Sequence, residues 1–162
     1  LHVKRHSFPT RRSSDLRMSN LSEICSRLNA QFFDLQNLAI PTGSQEEAVR
    51  EALAGLNAFL EKDFTVAGLD EALMTTLPSD YEAVLLFGAA AFALDFSLRS
   101  HLVHTTSSTV RSEETLRLWC EHLNRQFDAG LDRLRLQALQ ANGALPYSPW
   151  AWDEPHNLRE VS

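Results

Sequence analysis

Residues 80–103 read DYEAVLLFGAAAFALDFSLRSHLV, and their reading decides the fold. From Ala83 to Leu94 every residue is apolar or glycine. A helix that is apolar on all sides must be surrounded by protein or by lipid. A membrane span needs about 18 or more such residues, and Glu82 and Asp95 end this run sooner. The stretch is therefore expected to be the central helix of a soluble fold. Gly88, Ala89, Ala90, Ala91 and Ala93 let neighbouring helices come close, and Phe87, Phe92 and Phe96 fill the space around them.

The helix needs companions, and both flanks supply them. Upstream, Leu21, Ile24, Cys25, Leu28, Phe32, Leu35 and Leu38 recur at three- and four-residue steps, which predicts a first helix over residues 22–39. Ser19 or Ser22 is the expected cap. Pro41, Thr42 and Gly43 should break the chain. Ser44 and Glu47 have capping-box spacing and should open a second helix reaching residue 62, with Val49, Ala52, Leu53, Leu56 and Leu60 on one face. Gly55 inside that helix points to close packing. Residues 63–77 (DFTVAGLDEALMTTL) are ambiguous. Phe64, Val66 and Thr75–Leu77 favour a small β-hairpin over 64–77, whereas Asp70 could instead cap a short helix.

Ser79 with Glu82 makes a second capping box at the start of the central helix, which should end near His104 before the polar loop 105–109. Ser112 should then cap a last helix reaching residue 141, about 42 Å long from the helical rise per residue. Its stripe is Leu116, Trp119, Cys120, Leu123, Phe127, Leu131, Leu134 and Ala138. The expected fold is all-α, a single-domain bundle of about four helices over residues 18–142. A Pro/Trp-rich extended tail, 143–162, follows.

The chain has 162 residues, enough for one domain with a real core. Residues 6–16, HSFPTRRSSDL, match one reading frame of a widely used sequencing adapter. Residues 1–17 are accordingly read as a non-native or disordered leader, with Met18 as the start. Leaving out residues 1–16 removes Lys4, Arg5, Arg11, Arg12 and Asp15 from 15 basic and 21 acidic residues, for a net charge of −9. So acidic a chain does not suit sequence-independent DNA binding, which relies on basic side chains neutralising phosphates. No sequence-specific nucleic acid and no membrane are expected as partners. Cys25 and Cys120 sit inside helical patterns without framework spacing, which fits buried thiols in a reducing, cytoplasmic setting.

The glycines are too scattered for a phosphate-cradling loop, and there is no nucleophile elbow. No cofactor is expected. His101-x-x-His104 with Glu121-His122 is the best metal hint, because bundle metal sites use inward His and Glu at helical spacing. Surface or capping histidines are the simpler reading. Asp95 interrupts the most apolar helix, yet Arg99 follows at i+4 and would neutralise it as an ordinary ion pair. The tail carries Tyr147, Pro149, Trp150 and Trp152. Exposed, these would be partner-binding anchors; otherwise the tail folds back over its own chain.

The order of elements, with Leu-Pro-x-x-Tyr-Glu-x-x-Leu-Leu-x-Gly-Ala-Ala from Leu77 to Ala90, resembles the small helical head–tail connector proteins of phages and prophages, also called neck or head-completion adaptors. The resemblance spans Leu28 to Arg135; the long last helix and Trp-rich end go beyond the pattern. It implies a non-enzymatic assembly component, a homo-oligomeric ring beneath the portal, in the host cytoplasm or the virion. Tyr147, Pro149, Trp150 and Trp152 would then dock on the portal or a neighbouring neck protein. A metal-dependent bundle enzyme using His101, His104 and His122, and a bacterial protein-interaction adaptor, are the alternatives.

Overall fold

The computed structural model of the chain describes residues 19–34, 38–104 and 110–141. It is all-α, with helices α1 (Leu21–Leu28), α2 (Thr42–Leu60), α3 (Ser79–His104) and α4 (Val110–Ala141), and no strand among the described residues. The leader 1–17 and the loop 105–109 lie outside the described residues.

The cap of α1 is Asn20, not Ser19 or Ser22. Its Oδ1 accepts from the Glu23 N–H at 2.9 Å, and Glu23 Oε2 accepts from the Asn20 N–H at 3.3 Å. Asn20 is thus the polar side chain that satisfies free N–H groups at this helix start. After Leu28 the helix widens into a π-helical turn, Asn29–Phe33, and the Asp34 N–H reaches back five residues to the Asn29 carbonyl. One extra residue per turn moves the apolar stripe on by one position. Phe33 is therefore fully buried, while Phe32 is half-buried with its ring edge-on to Phe87. The regular helix expected as far as residue 39 does not form; Leu38–Ile40 is irregular.

Helix α2 starts two residues before the expected box. Pro41, at ψ 142°, turns its carbonyl towards the Ser44 and Gln45 N–H groups. Thr42 and Gly43 thereby join the first turn instead of breaking the chain. Glu47 pairs with Arg50 and does not return to Ser44. Gln45 is 2% exposed, and its Nε2 donates to Asn29 Oδ1 (3.0 Å) and to the Ile40 carbonyl (2.8 Å), tying α2 to the π-helical turn. The helix stops at Glu61, which takes a left-handed conformation and donates its N–H to Asn57 O.

Helix α3 packs chiefly against α2 and α4, with smaller contacts to α1. Leu85, Leu86, Ala89, Ala90, Ala91, Ala93 and Leu94 are buried, and Phe87, Phe92 and Phe96 are half-buried against the same core. The segment Ser79–Ser100 is long and apolar enough to cross a membrane, with a mean hydropathy of 1.5, and 50% of its window is buried inside the fold. Glu82 of α3 reaches Arg27 of α1 at 2.5 Å. The tight glycines are Gly88, facing Phe127, and Gly130, facing Val84. At Gly55, by contrast, the nearest ring atom stands 3.7 Å from where a Cβ would be, so the close packing expected there is ordinary contact.

Helix α4 is 32 residues long and begins at Val110, so Ser112 lies inside its first turn and does not precede it. Cys120, Leu123, Phe127, Leu131 and Leu134 are buried along one stripe, with Leu116 and Trp119 half-buried beside them.

Candidate functional site

Between α2 and α3 the chain makes neither the hairpin nor the short helix. The physical reason lies in threonine hydroxyls that take the places of ladder bonds. Thr65 N donates to Thr76 Oγ1 and Ala67 N to Thr75 Oγ1, each at 2.9 Å. Two backbone bonds, Thr76 N to Thr65 O at 3.0 Å and Gly68 N to Ala72 O at 2.9 Å, link the two limbs. Asn57 clamps the entry: its Nδ2 donates to Phe64 O, and its Oδ1 accepts from Phe64 N, both at 2.9 Å. Buried Thr75 also donates to Ser19 O at 2.9 Å, and Leu21 N donates to Ala67 O at 3.0 Å, so the loop is sewn to the start of α1.

The turn itself needs left-handed backbone at Gly68 (φ 88°), Asp70 (φ 49°) and Glu71 (φ 61°). Asp70 is steadied by Arg50 Nε at 2.8 Å. Val66, Leu69 and Leu77 plug into the core. Between Leu69 and buried Thr75, Leu73 and Met74 point outward, 94% and 69% exposed. Two large apolar side chains stand in water on a loop held at both ends. Contiguous exposed apolar patches of several hundred Å² mark surfaces that meet other proteins, and this adjacent pair is the candidate for part of such a surface here. Sequence reasoning treated residues 63–77 only as a folding problem and missed this feature. The available signal was a Leu-Met pair between Glu71 and the threonines that carry the loop bonds.

A second exposed set lies on α4. Leu118 and Leu136, about five turns apart, fall on one face of the helix. Leu139 lies near its end, 53% exposed.

The partner-binding anchors expected in the tail, Tyr147, Pro149, Trp150 and Trp152, lie outside the described residues. His101 and His104 fall in the last turn of α3, whose side chains are likewise outside them. His122 is exposed on α4. Among the described residues no group of three or more His, Cys, Asp or Glu side chains is placed to hold a metal ion. Asp95 and Arg99 form their ion pair at 2.6 Å, and so do Glu113 and Arg117.

Both thiols are free and buried. Burial, with Glu46 adding to it, pushes the Cys25 thiol up; burial, with Asp95 and Glu121 adding, does the same for Cys120. Cys25 borders a cleft of about 500 Å³ beside Asn20, Thr42, Glu46 and Gly68. A thiol held protonated there is a poor nucleophile, because the thiolate is the reactive form.

Comparison with protein-family models, with curated proteins and with solved structures finds no match for this chain.

Proposed function

We propose that this protein is a non-enzymatic assembly component that acts by oligomerising and by docking on other proteins, in the manner of the phage head–tail connectors it resembles. The architecture in this reading is a single-domain helical bundle wrapped around α3. The observation that carries it is the pair Leu73–Met74, held in water on a loop that Asn57, Thr65, Thr75 and Thr76 pin at both ends. Among the described residues the core does not use these two side chains, and burying each against a neighbour is worth about 1.5–3 kcal/mol. The outward leucines of α4 add a second contact face, and the anchors Tyr147, Pro149, Trp150 and Trp152 reach the next component, a portal or neck protein. Neither nucleic acid recognition nor membrane insertion is part of this reading, and the place of action is the host cytoplasm or the virion.

Light scattering coupled to size exclusion tests it on the full chain of 18.2 kDa. The proposal expects a mass above one chain that rises with concentration and falls back to one chain in Leu73→Asp/Met74→Asp. A strict monomer at every concentration would count decisively against it.

A further inference from the structure

The first helix ends on an electrostatic mismatch. Asp34 caps the π-helical turn Asn29–Phe33, and no basic residue stands in the last turn. A carboxylate at a helix C-terminus faces the negative pole, where a cation is favoured. π-Helical turns of this kind recur at functional sites.

Asp34 lines a cleft of about 610 Å³, inside the range of small-molecule sites. The wall is mainly polar: Asn29, Asp34, Thr42 and Gln45, with Leu38, Ala39 and Ile40 supplying the apolar part. No lysine, arginine or histidine is among these residues. Gln45 is the buried polar member, 2% exposed. Its Nε2 spends both N–H groups, one on Asn29 Oδ1 at 3.0 Å and one on the Ile40 carbonyl at 2.8 Å. These acceptors fix which way round the amide lies, because the reverse would set Oε1 against the Ile40 carbonyl. Oε1 is left buried with no donor among the described residues. A buried acceptor without a donor is costly, and the great majority of buried polar atoms in folded proteins have a partner.

The amide oxygen and the carboxylate on this wall thus lack the same thing, an N–H donor that carries positive charge. Thr42 brings the start of α2 to the cleft. Its pole amounts to about half a positive charge, less than the full charge on Asp34, and the opposite pole at the end of the first helix offsets it.

We propose that this cleft binds a small aliphatic amine in its ammonium form, with one N–H on Gln45 Oε1, the charge on Asp34 and the alkyl chain along Leu38 and Ile40. A metal ion fits less well. A hard cation such as calcium takes about six to eight oxygens, whereas one carboxylate lines the cleft, and Asn29 Oδ1 and the Ile40 carbonyl already accept from Gln45. The site goes beyond the assembly reading and does not rest on it.

Titration of the isotope-labelled full chain with n-butylammonium chloride at constant ionic strength, followed by amide chemical shifts, is the test. The expected result is saturable shifts at the backbone amides of Asn29, Asp34 and Thr42 and at the Gln45 side-chain amide. Tetramethylammonium carries the charge but no N–H. It should bind at least about tenfold more weakly, the worth of one charge-assisted hydrogen bond. Asp34→Asn, at an exposed side chain, should weaken butylammonium by a similar factor with unchanged circular dichroism. It should also slightly raise the melting temperature of the ligand-free chain, since it removes a charge the helix end disfavours. Absence of saturable shifts would overturn the proposal. So would equal affinity for tetramethylammonium, tighter binding of calcium, or an affinity unchanged in Asp34→Asn. Tighter binding of acetyl-lysine amide than of butylammonium would also overturn it, by assigning the cleft to a lysine of a partner protein. The comparison of the two ammonium ions in the unmutated chain decides the matter without any variant, and oligomer mass does not enter it.

Discussion

A Cβ at Gly88 would stand 2.7 Å from the Phe127 ring, so α3 and α4 touch at a distance that only glycine permits. The contact is reciprocal one turn away, where a Cβ at Gly130 would stand 2.9 Å from both methyls of Val84. Phe127 is boxed in, with Phe92 edge-on to it and Gly55 on a further side. Gly88→Ala gains about 1 kcal/mol of helix propensity and loses about 1–3 kcal/mol to overpacking. We expect net destabilisation in urea unfolding, partly relieved by adding Phe127→Leu. Gly55→Ala, with 3.7 Å of room, should be neutral or stabilising by up to about 1 kcal/mol. Equal behaviour of the two substitutions would mean that the helices do not meet at Gly88.

Thr75 carries the loop on one buried hydroxyl, which accepts from Ala67 N and donates to Ser19 O. Thr75→Val keeps the shape and leaves both backbone groups without that partner, at an expected cost of about 1–3 kcal/mol. Thr76→Val, at an exposed position, should cost less. Denaturant midpoints of the two variants measure the difference, and a larger loss at Thr76 would contradict the bonding scheme.

The buried thiols predict a pH dependence. Burial raises both folded-state values, so the native chain holds these protons to higher pH than the unfolded chain does. Their contribution is complete below the ordinary thiol value of about 8.5 and is lost as pH rises through the folded-state values. Unfolding free energy should therefore fall as pH rises above about 8.5. Part of that slope should disappear in Cys25→Ala/Cys120→Ala, whose lower stability should vary less with pH. An identical slope in both proteins would refute the assignment.

Leu73→Asp/Met74→Asp should leave the melting temperature almost unchanged, because neither side chain packs in the core. Surface changes of this kind usually move stability by no more than about 0.5 kcal/mol. A drop in melting temperature at concentrations where the chain is monomeric would mean that the pair supports the fold itself.

Long, strongly patterned elements were legible in the sequence. The all-round apolar run Ala83–Leu94 and the stripe of Cys120, Leu123, Phe127, Leu131 and Leu134 each implied a helix and the residues it buries. The misreadings occur where one hydrogen bond decides between near-equal choices. Asn20 caps α1 although two serines flank it, and the Pro41 carbonyl starts α2 before its Ser-Glu pair. The π-helical turn exchanges Phe32 for Phe33, a one-residue shift that no regular periodicity encodes. Which glycine is tight, Gly55 or Gly88, depends on where Phe127 arrives from another helix. The loop 61–78 defeated both local readings because its bonds run through Thr65, Thr75, Thr76 and Asn57 side chains. The exposure of Leu73 and Met74 follows from that network and not from their own residue types.

The central claim is that α3 is enclosed by the chain's own helices. Native-state hydrogen exchange across Leu85–Leu94 in lipid-free buffer tests it most directly. The account predicts that these amides exchange only through global unfolding, with a free energy equal to that from denaturant titration, and that added phospholipid vesicles change nothing. Rapid exchange in buffer, or protection that appears only with vesicles, would contradict it.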